Sequence, residues 1–330
     1  MTHCRVILAR PRGFCAGVVR AVDIVERALA LYGAPVYVRH EIVHNRHVVD
    51  SLKKLGAVFV EATEDVPEGA VTVFSAHGVS KTVEGEARAR HLDVIDATCP
   101  LVRRVHKEAQ AYARDGYDVV LVGHDGHAEV EGTRGQIPGP VQIVATVGDV
   151  AGLAVRDPAR VAYVTQTTLS LFDTQDIIAA LRARFPDIKG PDTRDICYAT
   201  QNRQLAVMEL AEHAQLVLVV GSANSSNANR LQELAQSMGV PSYLIDQPSG
   251  IDPAWLDGVS VIGVTAGAST PESVVQDVVG ELARHRAITV ETMEGKEEHV
   301  RFRLPDRLQA PARANETGHD AAHDMSVHAS

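Results

Sequence analysis

Three cysteines, Cys15, Cys99 and Cys197, each stand directly before a stretch of helical character, and they are spread almost evenly along the 330 residues. The stretches are AGVVRAVDIVERALALYG, PLVRRVHKEAQAYARDG and YATQNRQLAVMELAEHA. A thiolate at a helix N-terminus is stabilised by the macrodipole and by free backbone N–H groups. Three of them, one per segment of similar length, have the chemistry of a metal or iron–sulfur centre with one metal position left for substrate. Zinc favours closely spaced ligand pairs, and no CxxC pair occurs. Iron–sulfur clusters take thiolates and are compatible with dispersed single ligands. An open iron would act as a Lewis acid. Any one cysteine alone is more often buried filler. That reading suits Cys4, which lies in the apolar run CRVILAR with no helix start behind it. A fourth thiolate from Cys4 would instead close the site and favour electron transfer.

A second set of residues suits an anion. His44, His77 and His127 each follow or end an apolar run, with Gly or Asn close by. N–H-donating imidazoles match diphosphate oxygens; single histidines in such places are usually structural, and a second metal site is the competing reading. GSANSSNANR (221–230) places Asn224, Ser225, Ser226 and Asn227 between a strand and a helix, and GASTP (267–271) repeats the idea with Ser269 and Thr270. Hydroxyls, amides and helix N–H groups make a phosphate site without Lys, although Ser and Asn also serve as ordinary caps. HAEVEG carries Glu129 and Glu131, one of which is a candidate buried proton donor with a raised pKa; surface solvation is the plain alternative. The TQTT stretch, Thr165 to Thr168, is suited to orienting a water or a substrate hydroxyl, or to capping the next helix.

Elements that would position these residues are legible as Val- and Ile-rich runs: CRVILAR (4–10), PVYVRHEIVHN (35–45), AVTVFSAHG (70–78), DVVLVGHDGH (118–127), RVAYVTQTT (160–168), LVLVVGSANSSN (216–227) and VSVIGVTAGAST (259–270). Continuous β-branched runs read as buried parallel strands. Helical patterns alternate with them: Val18, Val22, Val25 and Leu29 share one face, as do Val102, Val105, Ala109 and Tyr112. The alternation predicts an α/β fold, with ligands at the carboxyl ends of the strands. Those ends hold His44-Asn45, His77-Gly78, His124, His127, Thr165 to Thr168, Ser222 to Asn227 and Ala266 to Thr270. Each of three segments supplies about two such ends beside one cysteine-headed helix, which predicts three similar α/β units around a shared centre. From about Leu304 the chain is polar and rich in Ala and His, and disorder is expected. His319, His323 and His328 there are expected to bind metal only adventitiously.

Bulk composition narrows the function classes. A net charge of −10 argues against a general nucleic-acid or anionic-membrane surface. Aromatic content of 4% argues against stacking as the main mode of recognition. Four cysteines are too few for a disulfide scaffold. The charged N-terminus does not read as a signal peptide, and no run of 18 uncharged apolar residues occurs. A cytoplasmic protein with reduced thiols is expected. P-loop, GxSxG and acidic metal-binding motifs are missing, against a metal-free hydrolase or transferase; a non-catalytic iron–sulfur sensor of a phosphorylated ligand would not need a dedicated acid such as Glu129.

Over roughly residues 5 to 302 the chain closely resembles the 4-hydroxy-3-methylbut-2-enyl diphosphate reductase family. The resemblance rests on PRGFCAGV, EIVHNRHVVD, FSAHGVS, DATCPLV, GHAEVEG, VTQTTLS, DICYATQNRQ, VVGSANSSNANRL and TAGASTPE, in that order. It implies a trefoil of three α/β domains around a [4Fe–4S] cluster, held by Cys15, Cys99 and Cys197, with the fourth iron open to the substrate's hydroxyl oxygen. His44, His77, His127, Ser225, Ser226, Asn227 and Ser269 match the family's diphosphate pocket, and Thr168 is expected to bind substrate with them. Glu129 matches its proton-delivering carboxylate and Thr167 that residue's partner. The implied reaction is reductive dehydroxylation to isopentenyl and dimethylallyl diphosphates, with electrons from ferredoxin or flavodoxin. The implied organisation is an N-terminal strand and cluster loop (1–16), domains at 17–99, 100–196 and 197–285, a return segment (286–303) and a disordered tail (304–330). Two departures stand out: Ala128 replaces the family's usual Pro between His127 and Glu129, and the tail after about residue 303 has no counterpart in the family.

Overall fold

The computed structural model describes residues 3–191 and 195–309. The first part of the chain runs β1 (Cys4–Leu8), α1 (Ala16–Tyr32), β2 (Val36–Arg39), α2 (Arg46–Lys54), β3 (Ala57–Val60), β4 (Val71–Phe74), α3 (Lys81–Ala89) and β5 (Asp93–Asp96). The second runs α4 (Pro100–Arg114), β6 (Asp118–Val122), α5 (Ala128–Arg134), β7 (Val141–Val144), α6 (Val147–Val150), β8 (Val161–Thr165) and α7 (Leu171–Arg184). The third runs α8 (Tyr198–Ala211), β9 (Leu216–Val220), α9 (Ser226–Ser237), β10 (Ser242–Ile245), β11 (Val261–Ala266), α10 (Glu272–His285) and β12 (Ile288–Thr292).

Three separate sheets result, with strand orders β3-β2-β4-β5, β7-β6-β8 and β10-β9-β11-β1-β12. Every pairing between these strands is parallel. A parallel sheet needs helices on both faces, and each sheet here is buried between two apolar clusters. The first sheet packs Val36, Val38, Val73 and Ile95 against α1 and α2 on one side, and Phe74 against Val83 and Ala87 of α3 on the other. Alternation along β6 does the same in the second: Val120 and Val122 face α7, while Val119 and Leu121 face α4 and α5. In the third, Val6, Leu218 and Val264 meet α10, and Val217 and Val219 meet α8 and α9. Each such branched side chain contributes roughly 1.5–3 kcal/mol when fully buried. The fold is thus three α/β units, and both chain ends close the third: β1 lies between β11 and β12.

Residues 304–309, grouped above with the disordered tail, are ordered. Leu308 is buried and Leu304 packs beside it on the apolar cluster under α1, so two leucines in a polar stretch suffice to dock the segment. The remaining tail, with His319, His323 and His328, lies outside the described residues.

Candidate active site

Cys15, Cys99 and Cys197 are the N-cap residues of α1, α4 and α8. All three line one cavity of about 110 Å³, to which all three units contribute. Their backbones are anchored alike. Cys99 N–H donates to Ala76 O at 3.0 Å, Cys197 N–H to Thr167 O at 3.0 Å, and Cys15 N–H to Ala268 O at 3.1 Å. Each acceptor lies just beyond the carboxyl end of a strand, after β4, β8 and β11. The residue that follows each acceptor is His77, Thr168 or Ser269, so one local device sets a thiol and a pocket residue together three times over. The sulfurs of Cys15 and Cys99 converge over Gly17: a Cβ there would lie 2.9 Å from Cys99 Sγ and 3.7 Å from Cys15 Sγ. Burial, and then the neighbouring Cys15, push the Cys99 thiol up to about 12 and the Cys197 thiol up to about 11. Cys99 and Cys197, set this close to another thiol, lose their protons readily only around a cation.

Three arginines that the sequence reading passed over tie this ring together. Arg20 of α1 donates to the carbonyls of Ala97 (3.1 Å) and Thr98 (3.2 Å), just before Cys99. Arg104 of α4 reaches Asp195, just before Cys197, at 3.6 Å. Arg203 of α8, fully buried, donates to Gly13 O at 3.0 and 2.7 Å, just before Cys15, and pairs with Glu298 at 3.1 Å. Each cysteine-headed helix therefore grips the loop of the next cysteine. The signal was present as an arginine five or six residues after each cysteine: CAGVVR, CPLVRR and CYATQNR.

Asn224 and His124 line neighbouring clefts, while the polar side of the cavity holds most of the other expected residues. His44, His77 and His127 line it with Thr167, Thr168, Ser225, Ser226, Asn227 and Ser269. The rings of His44 and His77 stack at 4.1 Å between centroids, and His127 meets His44 edge-on at 5.2 Å. His127 Nδ1 accepts from Glu129 N–H at 3.1 Å, which leaves its proton on Nε2. Burial, then His44, hold its pKa down at about 4. The same two causes, with His127 and His40 adding, keep His77 well below the usual imidazole range. His44 Nδ1 meets Glu41 Oε2 at 3.2 Å, and that oxygen also accepts from Asn224 Nδ2 at 2.8 Å. His44 Nε2 is buried with no protein partner among the described residues. Ser269 Oγ donates to His44 O at 2.9 Å, and Ala268 N–H donates to Asn227 Oδ1 at 3.0 Å. Ser225 caps α9, whose first N–H groups face the same region. No Lys or Arg lines the cavity among the described residues.

Glu129 is the buried carboxylate and Glu131 the exposed one. Thr167 donates to Glu129 from its N–H (2.6 Å) and from its hydroxyl (2.8 Å). Burial outweighs those bonds and pushes the Glu129 carboxyl up to about 7. Thr165, grouped with the TQTT candidates, is fully buried in β8 and lines no part of the cavity. Ala128 is the first residue of α5, a position a proline fits equally well. Cys4 is fully buried in β1, away from the cavity. A solvent-facing cleft of about 770 Å³ adjoins through His44 and His127 and holds His40, Glu41 and Arg134. His40 takes a left-handed backbone with φ of 61° and meets Glu61 at 2.9 Å. Ring nitrogens of His40, His44 and His77 lie within 4.8 Å of one another, close enough to hold a metal ion.

Comparison with known proteins agrees with this geometry. The LytB protein family model matches residues 6–283. A Rhodopseudomonas palustris protein named 4-hydroxy-3-methylbut-2-enyl diphosphate reductase 1 is 58% identical over 303 residues, covering 92% of this chain and 99% of its own. A Bordetella pertussis protein named 4-hydroxy-3-methylbut-2-enyl diphosphate reductase is 59% identical, covering 92% and 93%. Among solved structures, the E-1-hydroxy-2-methyl-but-2-enyl-4-diphosphate reductase of Plasmodium falciparum superposes with a TM-score of 0.88 at 39% identity, over 93% of this chain and 97% of that one. The chain belongs to the LytB family.

Proposed function

We propose that this chain reduces 4-hydroxy-3-methylbut-2-enyl diphosphate to isopentenyl and dimethylallyl diphosphates, the terminal step of the non-mevalonate route. The observation that carries the reading is the convergence on one cavity of three thiols, a buried carboxyl with a raised pKa and an anion pocket free of Lys and Arg. The donor set fits an iron–sulfur cluster: Cys15, Cys99 and Cys197 would hold it, and Gly17 leaves room for the sulfurs to converge. When bound there, a [4Fe–4S] cluster supplies an open Lewis-acidic iron and a store of electrons. Overall, substrate, two electrons and two protons give product and water.

The diphosphate is held by His44 Nε2, His127 Nε2–H, His77, the hydroxyls of Ser225, Ser226 and Ser269, Asn227 and the N-terminus of α9, with Thr168 beside them. An arriving anion favours protonated imidazoles, so His77 and His127, held neutral by burial, can gain charge as the substrate binds. Glu129 delivers a proton to the leaving hydroxyl: a carboxyl with a pKa of about 7 is partly protonated at neutral pH and still acidic enough to donate. Thr167 holds that carboxyl in line and can pass or receive a proton through its hydroxyl. Reduced ferredoxin or flavodoxin supplies the electrons. A cytoplasmic setting is supported by four unpaired cysteines, and no helix among the described residues is long and apolar enough to cross a membrane.

The test is turnover by anaerobically prepared protein supplied with dithionite-reduced viologen. Brown protein that forms both five-carbon diphosphates supports the reading. Brown protein without turnover would make the chain a sensor, and colourless, iron-free, active protein would remove the cluster from the account.

A further inference from the structure

We propose that the cationic groove behind Cys99 docks an acidic one-electron carrier protein, an inference that rests on the reductase reading above. The groove, about 470 Å³, is lined by Arg20, Arg103, Arg104, Lys107 and Arg303 together with only Thr98 and Pro100. Five cations gather there on a chain whose net charge is −10. Asp96, Asp195 and Asp306 pair with Arg103, Arg104 and Arg303. The charges of Arg20 and Lys107 keep the groove cationic beyond those pairs.

Its position is what gives the charge a purpose. On α4, Leu101 and Val102 line the central cavity, whereas Pro100, Arg103, Arg104 and Lys107 line the groove. On α1, Gly17 and Val18 line the cavity and Arg20 the groove. The wall between the two is one helix thick. Cys99 sits in that wall: it lines the cavity, and its two chain neighbours, Thr98 and Pro100, line the groove. By contrast, Cys197 follows buried Ile196, and Arg203, the basic residue nearest to it along α8, is wholly buried. Cys99 thus has a cationic face at its back.

Electron-carrier encounters are small, polar and steered by complementary charge. An acidic carrier on this groove would place its redox group against the Thr98–Pro100 segment. With a cluster held by Cys15, Cys99 and Cys197, each docking would supply one electron, and the carrier would leave oxidised by one electron. Two such deliveries and two protons account for one product and one water. The solvent-facing cleft opens onto the cavity at His44 and His127, away from the groove, so a substrate using it would not compete with the carrier for one opening.

The experiment compares two electron donors on the cluster-loaded enzyme: dithionite-reduced methyl viologen and an enzymatically reduced acidic flavodoxin. Arg103→Gln/Lys107→Glu should retain its iron and its viologen-driven turnover. With flavodoxin at low salt, kcat/KM for the donor should fall at least about tenfold, and its decline with ionic strength should flatten. Lys107→Glu alone should show the same effect in smaller measure and guards against misfolding of the double variant. Unchanged flavodoxin kinetics in both variants, or equal losses with both donors, overturns the docking proposal. Wild-type protein that turns over with neither donor overturns the reductase reading instead.

Discussion

Thiols and imidazoles line the same cavity, yet the protein holds them in opposite ways. The three cysteines are fixed by main chain: each caps a helix, each N–H is bonded to a strand-end carbonyl, and an arginine from the preceding cysteine helix clamps each approach loop. The imidazoles are oriented through their own ring nitrogens, by a carboxylate at His44 and a backbone N–H at His127. Burial holds His77 and His127 neutral. A permanent cofactor calls for ligands that do not move, whereas an anion that must enter and leave is better met by groups that gain charge on its arrival. Changes near the thiols should therefore alter what the protein holds, and changes near the imidazoles how well it binds substrate.

The strongest challenge to the thiol side is Gly17→Val. A Cβ there would lie 2.9 Å from Cys99 Sγ, closer than packed atoms tolerate, so one sulfur must move. The variant should fold but lose most of its iron and, with it, turnover; full iron content would show that the ring of thiols is not tightly set. Glu129→Gln tests the boundary between the two sides. Iron and substrate affinity should persist while kcat falls by about 10²- to 10⁴-fold, the usual worth of a positioned general acid. The pH profile sharpens this. Because burial raises Glu129 to about 7, its acid form is present below that pH and drains away above it. Wild-type rate should then fall about tenfold per pH unit on the alkaline side, and the Gln variant should lack that limb.

On the imidazole side, Glu41→Gln should raise KM for the diphosphate about tenfold, the worth of one charge-assisted hydrogen bond, with little change in kcat or iron. An equal loss of kcat and iron would mean that Glu41 serves the fold, through Asn224, rather than His44. The smallest effect is proton uptake. His77 and His127 are neutral in the free pocket, and a bound anion raises their pKa values. Inorganic pyrophosphate binding should therefore take up a fraction of a proton at neutral pH and weaken as pH rises. Calorimetry in buffers of different ionisation enthalpy reads this directly, and buffer-independent heats would contradict it.

Much of this site could be read from residues alone because it sits on the parts of the fold with the clearest patterns. All seven Val- and Ile-rich runs correspond to strands: β1, β2, β4, β6, β8, β9 and β11. The five strands that left no such run, β3, β5, β7, β10 and β12, are all at sheet edges. An edge strand is half solvated, so DVID in β5 or ITVET in β12 carries charge and has no continuous apolar run. β8 is the instructive exception: it lies at an edge but reads as a core strand, because a parallel bridge to Lys189 covers its open side. Since the site is built at the carboxyl ends of strands that do leave such runs, β8 among them, those omissions cost nothing there. Arg20, Arg104 and Arg203 were overlooked for a different reason. Surface-type residues in a helical pattern look solvated, and only the packing of three units shows that Arg203 is buried against Gly13.

The central claim is that three cysteines form an incomplete ligand set whose open metal position belongs to the substrate. Mössbauer spectroscopy of anaerobically reconstituted, iron-57-labelled protein, with and without the hydroxylated diphosphate, tests it most directly. The account predicts four irons per chain, one of them distinct and shifted by substrate while the other three stay unchanged. Four equivalent irons indifferent to substrate would mean a closed, fully ligated cluster and would contradict it.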